Sequence, residues 1–243
     1  MAYALVGTIG AVSVGSASSS VTPAWGTSET RVAGNLLVCW ANGYGHSTPL
    51  VIPGGWIQAT AIGSGPGFAA STLLFRIATG GDTAPTLVPA SGQSLTTRLA
   101  EFSGGPTQDP LDTVGSSAAG TSGTNTVTCG AKDVAAGELV CYAALMAYSA
   151  AAIKTISSAM NNGATDTGVT DAAVSTSNHY AFGFGITTGN TGADTETLTY
   201  TATSINGVAI VAASFALTAQ ARHVQLSRHS PAQRAIGPGR GQF

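Results

Sequence analysis

The sequence predicts an all-β protein: a β-sandwich or jelly-roll-like body with an internal two-fold pseudo-repeat and an extended C-terminal arm. Three observations predict it. No segment of the 243 residues keeps an apolar period of 3.6 over three helical turns. Short runs rich in Val, Thr, Ile and aromatic residues recur about every 8–12 residues between clusters of Gly, Pro, Asn and Ser, the spacing of a sandwich or barrel. Only 8% of residues are charged and 44% are apolar, with 32 glycines, which suits close-packed sheets joined by tight turns and not a disordered chain.

The elements follow in order. Residues 4–14 read as a first strand, with Gly7 and Gly10 as bulge positions. Residues 21–25 form a short edge strand interrupted by Pro23. Residues 36–40, LLVCW, are continuously apolar, the pattern of a strand buried on both faces. A Gly- and Pro-rich loop spans 42–55, and a strand spans 56–62. The stretch 73–104 organises the rest: strand 73–78, turn 79–82, strand 85–89, turn 91–92 and strand 95–102. After the loop 106–113 come weaker strands near 112–118 and 124–129, then the apolar run 138–148. Residues 154–160 read as a strand or a short helix, and 179–186, 195–203 and 207–217 as strands.

An internal echo organises the body. AGNLLVCWA at 33–41 matches AGELVCYAA at 136–144, and FRIATGGDTAPTL at 75–87 resembles FGITTGNTGADTETL at 184–198. Strands 94–102 and 204–215 both end in Phe. The offset of roughly 100–110 residues predicts two similar β units within one sandwich domain, 1–219, with halves at about 1–118 and 119–219. Neither half shows an obvious core of its own, so the halves are expected to interleave or pack face to face.

Charge divides the chain differently. All eleven acids lie before residue 197, whereas residues 220–243 carry Arg222, Arg228, Arg234 and Arg240 and no acid. With Pro231, Pro238 and few large apolar residues, this arm cannot bury enough surface to fold alone. Its arginines suit carboxylate or phosphate partners, and Phe243 adds an apolar anchor. Four Arg are sparse for a nucleic-acid arm, so the expected partner is protein, with the four Arg and Phe243 as assembly contacts.

No residue set specifies a reaction. There is no Gly-x-Ser-x-Gly elbow, no Cys/His cluster with zinc spacing, and no phosphate loop in GSGPG at 63–67. His46, His179, His223 and His229 are not spaced as helix-borne ligands. Asp109 with Asp112, or Asp194 with Glu196, read as solvated turn carboxylates, with a calcium loop as the sharper alternative. The chain is therefore expected to have no catalytic, cofactor or metal site and not to be an enzyme. Cys39 and Cys141 sit in apolar strands at matching positions of the two halves and are expected as buried free thiols; with Cys129 the count is odd. Alternation puts Leu74, Arg76 and Ala78 on one face of a strand and Leu73, Phe75 and Ile77 on the other, with Glu101 as a cross-strand partner for Arg76. Trp25, Trp40 and Trp56 read as packing residues rather than sugar platforms.

The order of local signals carries a resemblance. Gly55-Trp56 opens a strand; Phe75-Arg76-Ile77-Ala78-Thr79-Gly80 follows; Ala100-Glu101-Phe102-Ser103-Gly104 precedes Pro110-Leu111-Asp112. Over residues 33–217 this resembles a β-sandwich module of bacteriophage virion proteins and of bacterial surface repeats. The resemblance implies a structural subunit, on a capsid as a decoration protein or on a tail, that contacts other virion proteins and copies of itself. It carries over no catalytic residue and no cofactor; no apolar run approaches the length of a membrane span, so no membrane partner is expected, and the sparse arginines argue against nucleic acid. An adhesion or carbohydrate-binding module, meeting host-surface glycan through loops 42–55 and 104–112, is the alternative. The apolar N-terminus has no preceding Lys or Arg, so it reads as a strand and not as a leader, and the expected location is the virion, assembled in the host cytoplasm.

Overall fold

A computed structural model describes residues 1–15, 19–27, 31–44, 50–64, 69–89, 94–119, 123–129, 136–148, 155–160, 172–175, 178–187, 194–201 and 205–218. These contain β-strands and no helix, and every strand pair is antiparallel. The fold is all-β and β-sandwich-like. The arm residues Arg222, Arg228, Arg234, Arg240 and Phe243 lie outside the described residues.

The first sheet contains β1 (Ala4–Leu5), β2 (Ser13–Gly15), β3 (Leu36–Tyr44), β4 (Ile57–Ser64), β5 (Ala69–Ile77) and β6 (Ser94–Ser103). Its order is β1-β6-β3-β5-β4, with β2 also on β6. The second contains β7 (Leu111–Ala119), β9 (Leu139–Tyr148), β11 (Ala172–Ser175), β12 (Asn178–Ile186) and β14 (Ile205–Phe215), in the order β11-β12-β9-β14-β7. A third, smaller sheet runs β10 (Thr155–Met160), β13 (Asp194–Thr201), β8 (Gly123–Cys129) and lies against β7, β14 and β9. Beside the first sheet, isolated bridges join Val21 to Leu87 and Val51 to Val88.

The two large sheets face each other across the main core. β3 contributes Leu36, Val38 and Trp40, β5 contributes Leu73 and Phe75, and β6 contributes Ala100 and Phe102. Opposite them stand Leu139 and Cys141 of β9, Phe182 and Phe184 of β12, and Val211 and Phe215 of β14. Alternation sends the intervening residues to the far faces. Leu37, Cys39 and Ala41 of β3 and Leu74 of β5 enter a second core with Val21, Trp56, Leu87, Leu95 and Leu99. Val140, Tyr142, Val208 and Ile210 are likewise buried on the far side of the second sheet. The continuous apolar runs LLVCW and LVCYA are therefore the central strands of their sheets, each buried on both faces. Tyr142 needs a neighbour without a side chain: a Cβ on Gly183 would overlap its ring.

Several expectations are corrected. Residues 73–102 are not a meander. β3 lies between β5 and β6, and the segment around 87–88 leaves the sheet to bridge Val21 and Val51. Long-range pairing with β3 outweighs the local turns. Residues 4–14 are not one strand: the chain breaks between β1 and β2, with Gly7 at φ 71°. Residues 21–25 form one bridge only, at Val21. Residues 155–160 are strand. The first sheet does own a second core, in which the outer faces of β3, β5 and β6 are covered by Val21, Trp56 and Leu87 from segments outside the strands. Cys39 and Cys141 are both free and buried but not at matching positions, for Cys39 faces the second core and Cys141 the main one.

Some pairings in the two large sheets are alike. Leu5 faces Phe102, and Leu111 faces Phe215. Leu36 is flanked by Ile77 and Phe102, and Leu139 by Ile186 and Phe215. Ahead of β3, the Gly34 N–H donates to Ala78 O at 2.9 Å and the Ala78 N–H to Asn35 O at 2.8 Å. Ahead of β9, the Gly137 N–H donates to Thr187 O at 2.7 Å and the Thr187 N–H to Glu138 O at 2.9 Å. Gly34 and Gly137 have φ of 90° and 87°, a backbone shape that glycine adopts without steric cost.

Candidate functional site

A buried polar cluster lies where the first sheet meets the segment before β3. Glu101 sits on β6 between Ala100 and Phe102, and is 1% exposed. Its Oε1 accepts from the Val32 N–H at 2.9 Å and from Asn35 Nδ2 at 2.7 Å. Its Oε2 faces Arg31 Nη1 at 3.3 Å, an ion pair without hydrogen-bond geometry. Arg31 is itself buried, and its guanidinium carbon lies 4.4 Å from the centre of the Trp25 ring. The carboxylate thus holds three groups of the 31–35 segment, and β3 starts directly after it.

A second ion pair lies close by. Arg76 Nη2 is 2.7 Å from Asp82 Oδ1. Asp82 also accepts from the Thr79 and Gly80 N–H groups at 2.7 and 3.0 Å, closing the turn that follows β5. The Gly81 N–H reaches Arg31 O at 3.3 Å, so the two clusters are joined. Glu101 is not the partner of Arg76, because β3 separates β5 from β6. The facial assignment in LLFRIA is correct: Leu74 and Ala78 line the second core, Leu73 and Phe75 the main one.

The other candidates are spread apart. His46 lies outside the described residues, as do His223 and His229, while His179 is on β12 opposite Met146. Asp194 and Glu196 are strand positions on β13, facing Cys129 and Val127 of β8, and not loop carboxylates. Asp109 adopts φ 42° ahead of Pro110, a left-handed conformation that Asp tolerates better than most residues. Among the described residues, no three His, Cys, Asp or Glu gather as a metal would require. Trp40 and Trp56 are buried in the main and second cores, and Trp25 packs against the second. Within loop 42–55, Val51 and Ile52 are exposed. No helix of the described residues is long and apolar enough to cross a membrane.

Burial shifts the titration of three further groups. It pushes the Cys39 thiol far above its ordinary range, so the thiol stays neutral and unreactive. It also pushes up the Tyr3 phenol, which donates to Ala216 O at 3.2 Å. Burial lowers the Arg98 guanidinium, opposed by Tyr180, and Arg98 Nε donates to Gly10 O at 2.9 Å.

Sequence reasoning missed the Arg31–Glu101 clasp. Seventy positions separate its members, and only one local signal existed: a lone acid inside the apolar run RLAEFS. The geometry is that of a brace. Each carboxylate oxygen already has a partner, and the pair sits in the protein interior. No protein-family model, curated protein or solved structure matches this chain significantly.

Proposed function

We propose that this chain is a structural component of a bacteriophage virion, a capsid decoration or tail-associated subunit that acts through protein–protein contacts. Its body is read as one jelly-roll-like unit used twice. The observation that carries this is the strand order. In the first large sheet β1 pairs with β6, β6 with β3, β3 with β5 and β5 with β4; in the second β7 pairs with β14, β14 with β9, β9 with β12 and β12 with β11, so that apart from β2 the two orders correspond strand for strand. The second, seventh and fourth strands of the later unit make the small sheet β8-β13-β10. In the earlier unit the bridges Val21–Leu87 and Val51–Val88 occupy the same places. Two sheets exchanging strands in this way suit a jelly roll, an architecture used by viral capsid and lectin domains. The boundary between units then falls between Ser103 and Leu111.

The step from fold to virion rests on the resemblance of the Gly55-Trp56, Phe75–Gly80 and Ala100–Gly104 segments, because fold alone does not specify function. The polar clusters agree with a structural role, since Glu101 and Asp82 brace turns. The arm, with Arg222, Arg228, Arg234, Arg240 and Phe243, is assigned the task of tying the subunit to neighbouring virion proteins.

Immunogold labelling of phage particles from cells making the tagged chain tests the location, and gold on assembled heads or tails is expected. Particles without label, together with binding of the purified chain to a glycan array, would replace this reading with the carbohydrate-binding one. Truncation after Ala219 tests the arm: the body is expected to fold and to be lost from particles. Undiminished incorporation would remove the arm from the assembly contacts.

A further inference from the structure

The layer between the two large sheets has a property that a single sandwich core does not require. Its aromatic contacts are reciprocal. Phe75 of β5 meets Phe215 of β14, with ring centres 5.5 Å apart and planes at 69°. Phe102 of β6 meets Phe184 of β12, with ring centres 4.8 Å apart and planes at 76°. Phe75 and Phe184 each lie two residues before the isoleucine that flanks the leucine opening the central strand. Phe102 and Phe215 each flank that same leucine from the other side. One pair therefore joins β5 to β14 and the other β6 to β12, and β5 holds in the first sheet the place that β12 holds in the second, as β6 does that of β14.

That exchange of roles is the mark of an isologous contact, in which residue i of one body meets j of the other and j meets i. Resting on the duplicated-unit reading above, we propose that the main core is a subunit-type interface: the face that each unit presents there fits a second copy of the same unit, and this chain supplies both copies.

Three further observations fit. The centre of the layer is apolar, as in interfaces that never open: Leu36 and Leu139, Cys141, Val211 and the four phenylalanines are 4% exposed or less. Three buried side chains cross it as hydrogen-bond donors, Asn42 Nδ2 to Ala144 O at 2.7 Å, Ser71 Oγ to Ala209 O at 2.9 Å and the Tyr3 phenol to Ala216 O at 3.2 Å. These fix the register of one body on the other. Finally, the ends of both units meet at one place. Ala4 pairs with Ser103, Leu111 with Phe215, and the Tyr3 N–H donates to Gly137 O at 2.9 Å. The segment from Gly104 to Pro110 is the covalent link between the units, and none of its residues belongs to the main core.

Cutting that connection in the whole protein tests the interface. A protease recognition sequence is placed between Gly105 and Pro106, and the purified full chain is cleaved in native buffer. The two fragments are expected to stay together, with the mass of the intact chain by light scattering, and to separate only in denaturant. Fragments that part in native buffer overturn the interface. A double-mutant cycle in the uncut chain tests the reciprocity, using Phe75→Leu with Phe215→Leu and Phe102→Leu with Phe184→Leu. Each pair is expected to show a similar coupling, about two- to ten-fold in the unfolding equilibrium constant. Coupling in one pair and none in the other overturns the duplicated unit itself, whatever the cut fragments do. Both readouts are independent of virion assembly, so loss of the phage reading leaves them standing.

Discussion

The residue just before the closing phenylalanine of β6 is Glu101, and the residue just before that of β14 is Ser214. Both are buried, and both face away from the main core. Their work differs. Glu101 braces the 31–35 segment through one ion pair and two hydrogen bonds. Ser214 Oγ accepts from the Thr113 N–H at 3.1 Å and shares a 2.7 Å hydroxyl contact with Thr113 Oγ1, holding the start of β7. A charged clasp thus stands beside Phe102 in the first sheet and a neutral one beside Phe215 in the second. The backbone frame is similar, while the energetic stakes are not. A buried charge binds its loop strongly and makes the loop dependent on it, whereas a hydroxyl pair contributes little either way.

The largest break in this comparison is Glu101→Ala. It leaves the buried Arg31 without its carboxylate, and a loss of about 3–5 kcal/mol is expected in urea unfolding. Glu101→Gln separates charge from shape, since an amide oxygen can still accept from Val32 and Asn35. If Gln proves as stable as Glu, the ion pair contributes nothing and the clasp is only a pair of hydrogen bonds.

Asp82→Ala comes next. It removes acceptors from two N–H groups and the partner of the partly exposed Arg76, and about 1–3 kcal/mol is expected to be lost. Ser214→Ala is the matching neutral test, with an expected cost of about 1 kcal/mol. A cost at Ser214 equal to that at Glu101 would erase the contrast between the two sheets.

The two cores can be compared through pH. The folded-state pKa of Cys39 is raised above its ordinary value of 9.0, and that of Tyr3 above 10.0. For a group raised in this way, stability is fully present below the unfolded-state value and is lost as pH rises past it, because only the unfolded chain ionises. The unfolding free energy from urea titration is therefore expected to be flat near neutral pH and to fall by about 1.4 kcal/mol per pH unit for each such group, above pH 9.0 for Cys39 and above pH 10.0 for Tyr3. Cys39→Val should remove the part of the slope that starts near pH 9 and leave the tyrosine part. An unchanged slope in that variant would show that the second core opens enough for the thiol to ionise. The smallest effect expected is chemical: native protein should label very slowly at Cys39 and Cys141, both buried.

The sequence by itself determined what depends on neighbours along the chain. The absence of helical periodicity and the regular turns determined the all-β class. Strict alternation in LLFRIA placed Leu74 and Leu73 on opposite faces, and they line different cores. The unbroken apolar runs around Leu36 and Leu139 identified strands buried on both sides, since a strand with one wet face alternates. Tertiary structure decided what depends on residues far apart. It put β3 between β5 and β6, and so gave Arg76 to Asp82 and Glu101 to Arg31. It covered the outer faces of β3, β5 and β6 with segments around Val21, Trp56 and Leu87 that have no period of their own, and so made the second core. It also separated Cys39 from Cys141, because a shift of one residue in a strand moves a side chain to the other face. A period of two says that faces alternate; which face meets which partner is set by pairings between segments tens of residues apart, and no local pattern encodes those.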